Sequence, residues 1–321
     1  MSGNANPAWI ERYLDSLLTQ RKYSPHSVAA YRRDLIELSE LAKPTALSAI
    51  SHFQIRQFAA KLHANKNGSR SIARKLSAWR GFFTWLAQQT PMSANPVDGV
   101  KPPKHAGRLP KALSQDDAIR LVSSPSSTER DESAQACNRA MFELLYSSGL
   151  RVSELAALDT HYVQESGYVS HSWLNRDAAE VIVTGKGNKQ RAVPVGQAAL
   201  TALADWLKQR PTLPDTAVGE DRFALFLGTR QTRITPRAIQ LRLKAHAQAL
   251  GIPVNVHPHV LRHSFASHVL QSSGDLRAVQ EMLGHSSIAS TQVYTSLDFQ
   301  RLAQVYDAAH PRARKKPTEP Q

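Results

Sequence analysis

Cysteine is nearly missing from this sequence. Its 321 residues contain one, Cys137, so no internal disulfide can form and no cysteine-based zinc site can be assembled. That usage fits a reducing compartment, and the expectation is a cytoplasmic protein. Long apolar runs are missing too. No stretch approaches the ~18 consecutive apolar residues of a membrane span. The opening residues, MSGNANPAWIERYLD, lack a basic flank followed by an apolar segment, so no signal peptide is predicted. The sequence also has no GxxxxGK[ST] phosphate loop, no GxGxxG fingerprint, no HExxH and no GxSxG elbow. Acidic residues are few, 26 against 40 Lys and Arg. Asp116, Asp117, Asp131 and Glu132 fall at predicted helix starts, where the helix dipole favours them. Their placement speaks against a two-metal nuclease centre.

What is present is positive charge on a foldable chain. The net charge is +14, with 41% hydrophobic and 21% charged residues, a globular composition. At ~100–200 residues per domain the length suits one large or two ordinary domains. A basic excess of this size points to an anionic partner, and nucleic acid is the commonest. A basic enzyme with a solvated surface is the alternative.

The first hundred residues read as a helical domain. Asn6 and Pro7 suit a helix start, followed by Trp9, Ile10, Tyr13, Leu14, Leu17 and Leu18 at helical spacing. Ser24 and Pro25 repeat the signal before Val28, Tyr31, Leu35 and Leu38. Ile50, Phe53, Phe58 and Leu62 mark a third helix, stopped near Gly68. A fourth carries Ile72, Leu76, Trp79, Phe83 and Leu86 as an apolar stripe. Its remaining positions include Arg70, Arg74, Lys75 and Arg80, candidate contacts to a phosphate backbone or a solvated face. Residues 101–112, KPPKHAGRLPKA, read as a linker. A second domain begins at Leu113, with Ser114 and Asp117 as a capping-box-like start. It is mostly helical, with helices expected at 135–147, 152–158, 197–209, 236–250, 258–272, 276–283 and 298–309. Residues 180–184 and 191–195 form an expected hairpin around Gly185–Lys189. The tail 311–321 is basic, proline-rich and expected to be disordered. The fold class is therefore mostly α with a small β-hairpin.

Several residues stand out chemically. His259 and Arg262 are three apart, so they share a face near a helix start and make an anion site or a buried polar cap. Leu261, Phe265 and Val269 make a separate apolar stripe, and Ala266 would leave room for a ligand. Gly284 is a helix stop, which places His285 just beyond a helix end. Tyr294 follows nine residues later; alone, it reads as a half-buried core residue sooner than as a nucleophile. Arg151 begins a helix, where a cation is electrostatically poor unless an anion is also present. Lys186 sits at the hairpin tip, with Lys189 a rival in the same loop, and His263 rivals His259.

Together, GLRVSEL, TGKGNKQR, HPHVLRHSFASH and LGHSSIASTQVYT resemble the motifs of the tyrosine site-specific recombinases, the phage integrase family. The resemblance covers 111–310, and the N-terminal segment is similar to the family's core-binding domain. The stretch SLDFQRLAQVYDAAHPRA is similar to the type that resolves bacterial chromosome dimers. The segment between Arg151 and Lys186 is longer than the family's usual one, which leaves the strand before the hairpin open.

The resemblance implies a core-binding domain at 1–100, a catalytic domain at 113–310, and a mechanism. Arg151 and Arg262 clamp the phosphate, His285 donates to the same oxygens, and His259 orients or deprotonates Tyr294. Tyr294 attacks to give a 3′-phosphotyrosyl link, and Lys186 protonates the leaving 5′-hydroxyl. Lys189 joins Arg70, Arg74, Lys75 and Arg80 as a DNA contact. No metal, ATP or other cofactor is implied. The implied partners are a double-stranded recombination site, a XerD-like recombinase in a heterotetramer and a DNA translocase activator. The two domains are expected to clamp the duplex, and the segment 298–310 to dock on a neighbouring protomer. A phage or transposon integrase, a type IB topoisomerase and a catalytically silent architectural protein are the competing readings.

Overall fold

The structure is a computed structural model that describes residues 6–103, 112–125, 131–165, 167–185, 188–211, 220–252, 255–284 and 296–313. The chain divides into two compact units, 1–108 and 109–321. Among the described residues no helix is long and apolar enough to cross a membrane.

The first unit is built from α1 (Asn6–Thr19), α2 (Pro25–Ala42), α3 (His52–Ala64) and α4 (Ser69–Leu86). The start signals work as capping chemistry dictates. Ser24 Oγ accepts from Ser27 N at 3.2 Å, and Ser51 Oγ accepts from Gln54 N at 3.3 Å while Gln54 returns the bond to Ser51 N. The stripe on α4 is the spine of the core: Ile72, Leu76, Trp79, Phe83 and Leu86 are all buried. Trp79 Nε1 donates to Asp34 O at 2.9 Å, and Phe82 meets Tyr13 edge-on at 5.6 Å. Two expectations shift. The third helix ends at Ala64, and Gly68 caps the start of α4 instead. Phe53, expected in the core, is 66% exposed on the first turn of α3.

The second unit is organised around α6 (Glu132–Ser148), which packs on α5 (Gln115–Ser123), α8 (Gln197–Gln209) and α11 (Pro258–Ser273). Ser114 caps α5 by accepting from Asp117 N at 3.0 Å, and Asp131 caps α6. From Cys137 to Ser148 only Arg139 escapes burial, so α6 is covered on all faces. It ends at Gly149, which adopts φ +56°. The chain then forms α7 (Val152–Ala156). Next come β1 (Gln164–Glu165), β2 (Tyr168–Val169), β3 (Trp173–Asn175), β4 (Glu180–Thr184) and β5 (Gln190–Pro194). The expected hairpin is β4–β5, antiparallel, with Val183 opposite Arg191.

The strand left open by the sequence is β3, which adds to β4 with Trp173 opposite Ile182. The turn between them hides from sequence rules because Ala179, not a glycine, takes φ +51°. The unusually long segment before the hairpin is thus occupied by β1, β2 and β3. It is fastened by buried Asp159, whose Oδ1 accepts from Arg233 Nη2 at 2.7 Å.

Four further helices follow α8: the short α9 (Glu220–Phe223), α10 (Pro236–Ala249), α12 (Leu276–Leu283) and α13 (Ser296–Ala309). α10 begins at Thr235, whose hydroxyl accepts from Ala238 N. Within the chain α13 packs on its own unit. Leu302 and Tyr306 are buried, and Tyr306 Oη shares a 2.7 Å hydrogen bond with Ser147 Oγ. Ala266 is half-buried against the same apolar cluster. The tail also starts later than expected. Arg312 Nε donates to buried Glu143 at 3.0 Å, because α6 offers a carboxylate with no water to hold it. Residues 314–321, and 104–111 of the expected linker, lie outside the described residues.

Gly149 carries a specific requirement. A Cβ there would lie 2.4 Å from Phe265 Cδ1, in a backbone conformation that L side chains avoid. Gly149→Ala is expected to destabilise the second unit by about 2–4 kcal/mol. Scanning calorimetry of the full chain should show one transition lowered and the other unmoved.

Candidate active site

Three arginines from three elements meet at one carboxylate. Arg151 is the N-cap of α7, Arg191 faces inward from β5, and Arg262 lies one turn into α11. Between them sits Glu154, 5% exposed. Its oxygens accept from Arg151 Nη1 at 2.7 Å and from the Arg151 backbone N–H at 2.8 Å. Arg191 forms a fork onto the same carboxylate, with both contacts at 3.0 Å. Arg262 Nη1 lies 4.0 Å away. The anion that a cation at the start of α7 requires is therefore supplied by the helix itself.

The same three guanidiniums hold the end of α12. The last carbonyls of a helix have no partners within it, and the helix dipole makes that end negative. Here Met282 O accepts from Arg191 Nε at 3.1 Å and Leu283 O from Arg262 Nη2 at 2.6 Å. Gly284 O accepts from Arg151 Nη2 at 3.5 Å. Arg262 also donates to Gly149 O at 2.6 Å, which ties the end of α6 to the same point. Gly284 takes φ +65° and stops α12, as the sequence predicts.

The electrostatics follow from burial and neighbours. Burial alone pushes the Glu154 carboxyl up, but the hydrogen bonds and charge of Arg191, with those of Arg151, hold it below the ordinary value of 4.5. Burial pulls Arg262 down to about 10, and repulsion from Arg151 adds to that, against the attraction of Glu154. Three positive charges face one negative charge, so the cluster keeps a positive excess. Arg151 is the guanidinium that reaches solvent, with its side chain 38% exposed. A positive excess of this kind favours an anion beside it.

The structure brings Arg151 and Arg262 together. His259 is exposed on the first turn of α11, its ring 6.0 Å from that of His257, and His263 is exposed one turn later. Lys189 is exposed beside the hairpin turn. Lys186, His285 and Tyr294 lie outside the described residues.

The α4 cations divide. Arg70 is exposed, whereas Arg74 pairs with buried Asp34 of α2 and Lys75 is buried against Glu37 of α2. Arg80 donates to Val97 O and Val100 O at 3.4 and 3.2 Å. The expected cationic face is therefore partly neutralised. Asp34 and Glu37 stand three apart on α2, so both reach the α4 cations from one face.

Two residues escaped the sequence reading. Glu154 stands at the capping-box spacing from Arg151, and Arg191 occupies an inward strand position beside Val193. A charged residue on a core-facing strand position signals a buried partner.

Comparison with known proteins agrees with this layout. The model described as phage integrase family matches residues 111–301, and the phage integrase N-terminal SAM-like domain matches 10–90. The chain belongs to the phage integrase family. It is a tyrosine recombinase, an enzyme of DNA recombination.

Among similar family members, "Tyrosine recombinase XerC 1" of Ralstonia nicotianae is 54% identical, over 96% of this chain and 94% of its own. Tyrosine recombinase XerC of Pseudomonas aeruginosa (strain PAO1) is 45% identical, over 96% of each. Two solved structures share the fold. The Tn1549 transposon integrase in complex with circular intermediate DNA has a TM-score of 0.68 at 16% identity, covering 91% of this chain and 98% of its own. The XerH recombinase bound to difH substrate has 0.66 at 20%, covering 95% and 96%.

Glu154 should dominate the acid limit of this recombinase. Its folded pKa is depressed, so its contribution is complete above about pH 4.5 and is lost as pH falls through the lower folded value. Glu154→Gln is expected to cost about 3 kcal/mol at pH 7. The gap from the parent should narrow as pH falls below 4.5. Urea unfolding at pH 7 and pH 3.5 checks both statements.

Proposed function

We propose that this chain is a site-specific recombinase that cuts and rejoins DNA through a 3′-phosphotyrosyl link to Tyr294. The observation that carries the reading is the positive excess of the Arg151–Arg191–Arg262 cluster around Glu154. A phosphodiester in displacement gathers charge on its non-bridging oxygens, and fixed guanidiniums stabilise that charge without reorganising. Arg151, the more exposed member, and Arg262 are assigned to the scissile phosphate. His285, which leaves from the end of α12, donates to the same oxygens.

Tyr294 Oη attacks phosphorus and the bond to O5′ breaks. His259 takes the phenol proton or orients the phenol, and Lys186 gives a proton to O5′. A free 5′-hydroxyl then attacks the phosphotyrosine and releases Tyr294. The phosphodiester energy is kept in the protein–DNA bond, so neither ATP nor a metal enters these steps.

Residues 1–100 are assigned to DNA binding, with Arg70 and Arg74 both exposed on α4 and Arg74 also paired with Asp34. Residues 113–310 are assigned to catalysis, and 101–112 connect them. The similarity to XerC recombinases over nearly the whole chain supports chromosome-dimer resolution with a XerD-like partner in a heterotetramer. It also supports work in the cytoplasm under a DNA translocase, and it favours this reading over a phage or transposon integrase.

A nicked suicide duplex carrying a candidate resolution site tests the chemistry. An SDS-resistant adduct mapped to Tyr294, formed without added metal, is expected. Tyr294→Phe should bind DNA within about twofold of the parent and form no adduct, because one hydroxyl is removed. Binding without any adduct from the parent chain and its partner would favour an architectural role. Affinity should fall with salt, with a log–log slope of about 0.9 per phosphate neutralised.

A further inference from the structure

We propose that Arg191 is a positioning residue for strand cleavage, locking the hairpin that carries Lys186 onto the helix end that precedes His285. The inference rests on the roles assigned above to Lys186 and His285. Arg191 is 6% exposed, and its fork and Nε are engaged by Glu154 and Met282 O. With its donors committed to these partners, it acts through its neighbours.

Two glycines define its path. A Cβ on Gly284 would lie 3.1 Å from Arg191 Cδ, Nε and Cζ, so the side chain runs against that residue. A Cβ on Gly185 would lie 3.8 Å from Arg191 Nη1. These glycines immediately precede His285 and Lys186. One guanidinium therefore runs against Gly284 and lies near Gly185, the residues that precede two assigned catalytic groups. It also shares a carboxylate with the residue that clamps the phosphate, Arg151.

On the strand, Arg191 pairs with Val183, which fixes the base of the turn. Gly185 N closes that turn by donating to Lys189 O at 2.8 Å. Only a planar fork with a third donor satisfies both carboxylate oxygens and the helix carbonyl, and an ammonium does not.

The test uses the full chain with its recombination partner, comparing the parent with Arg191→Lys, Arg191→Met and Lys186→Ala. Each is assayed on a nicked duplex with the ordinary bridging oxygen and on one with sulfur at the 5′ bridging position. With oxygen, the P–O5′ bond breaks and Lys186 must deliver a proton. With sulfur, the P–S bond breaks and a thiolate departs unprotonated. A displaced hairpin lysine therefore slows only the oxygen substrate.

We expect both Arg191 variants to bind DNA within about threefold of the parent and to cleave the oxygen substrate about 10- to 100-fold more slowly. The sulfur substrate should recover most of that loss, as for Lys186→Ala. Equal slowing on both substrates would mark Arg191 as structural support alone and overturn the proposal, as would full activity on oxygen. If Arg191→Met does not fold, the two Arg191→Lys rates decide. No adduct from the parent chain would instead remove the phosphotyrosyl reading and this inference with it.

Discussion

A carboxylate taken out of water is stable only when its charge is met, and Glu154 is met from three sides. Its partners come from α7, β5 and α11, elements far apart in sequence. Glu154, Arg191 and Arg262 would not be tolerated at this depth alone. Unpaired, Arg191 or Glu154 would cost several kcal/mol of desolvation. Joined, they fix one arrangement, because a fork onto a carboxylate has a defined plane and direction. The geometry of the second unit around this point is set by that mutual dependence, while the apolar core supplies the general cohesion.

The end of α12 makes the arrangement useful. Its last carbonyls need donors, and the three arginines supply them at Met282, Leu283 and Gly284. A helix terminus is thus held by the same side chains that hold the carboxylate. The same Arg191 side chain runs against Gly284 and passes near Gly185. Catalysis of phosphoryl transfer depends on charges already in place when the transition state forms. A site assembled from one shared ion cluster meets that need more directly than one built from independent loops.

The sequence was informative wherever local chemistry decides structure. The start of α2 at Ser24, of α5 at Ser114 and of α10 at Thr235 follows from side-chain caps, and the hairpin from glycines flanking a polar tip. The stop of α12 at Gly284 is equally local. What stayed hidden depends on distant partners. β3 pairs through three residues after a turn at Ala179 that no turn rule marks. Lys75 carries surface-type chemistry but is claimed by Glu37 of another helix. Arg151 and Arg262 were legible through motif order, yet the carboxylate between them was not, because pairing across 37 residues leaves no periodic trace.

Arg262 shows how the cluster serves an anion. Burial and the neighbouring guanidinium of Arg151 bring it down to about 10, so its charge is penalised but kept at neutral pH. On the proposed reading, a phosphodiester entering beside Arg151 would bring the negative charge that the cluster lacks, and would change the surroundings of Arg262 without changing its protonation. The attraction would grow as charge accumulates on the phosphoryl oxygens, which is the condition for lowering a barrier and not merely tightening binding.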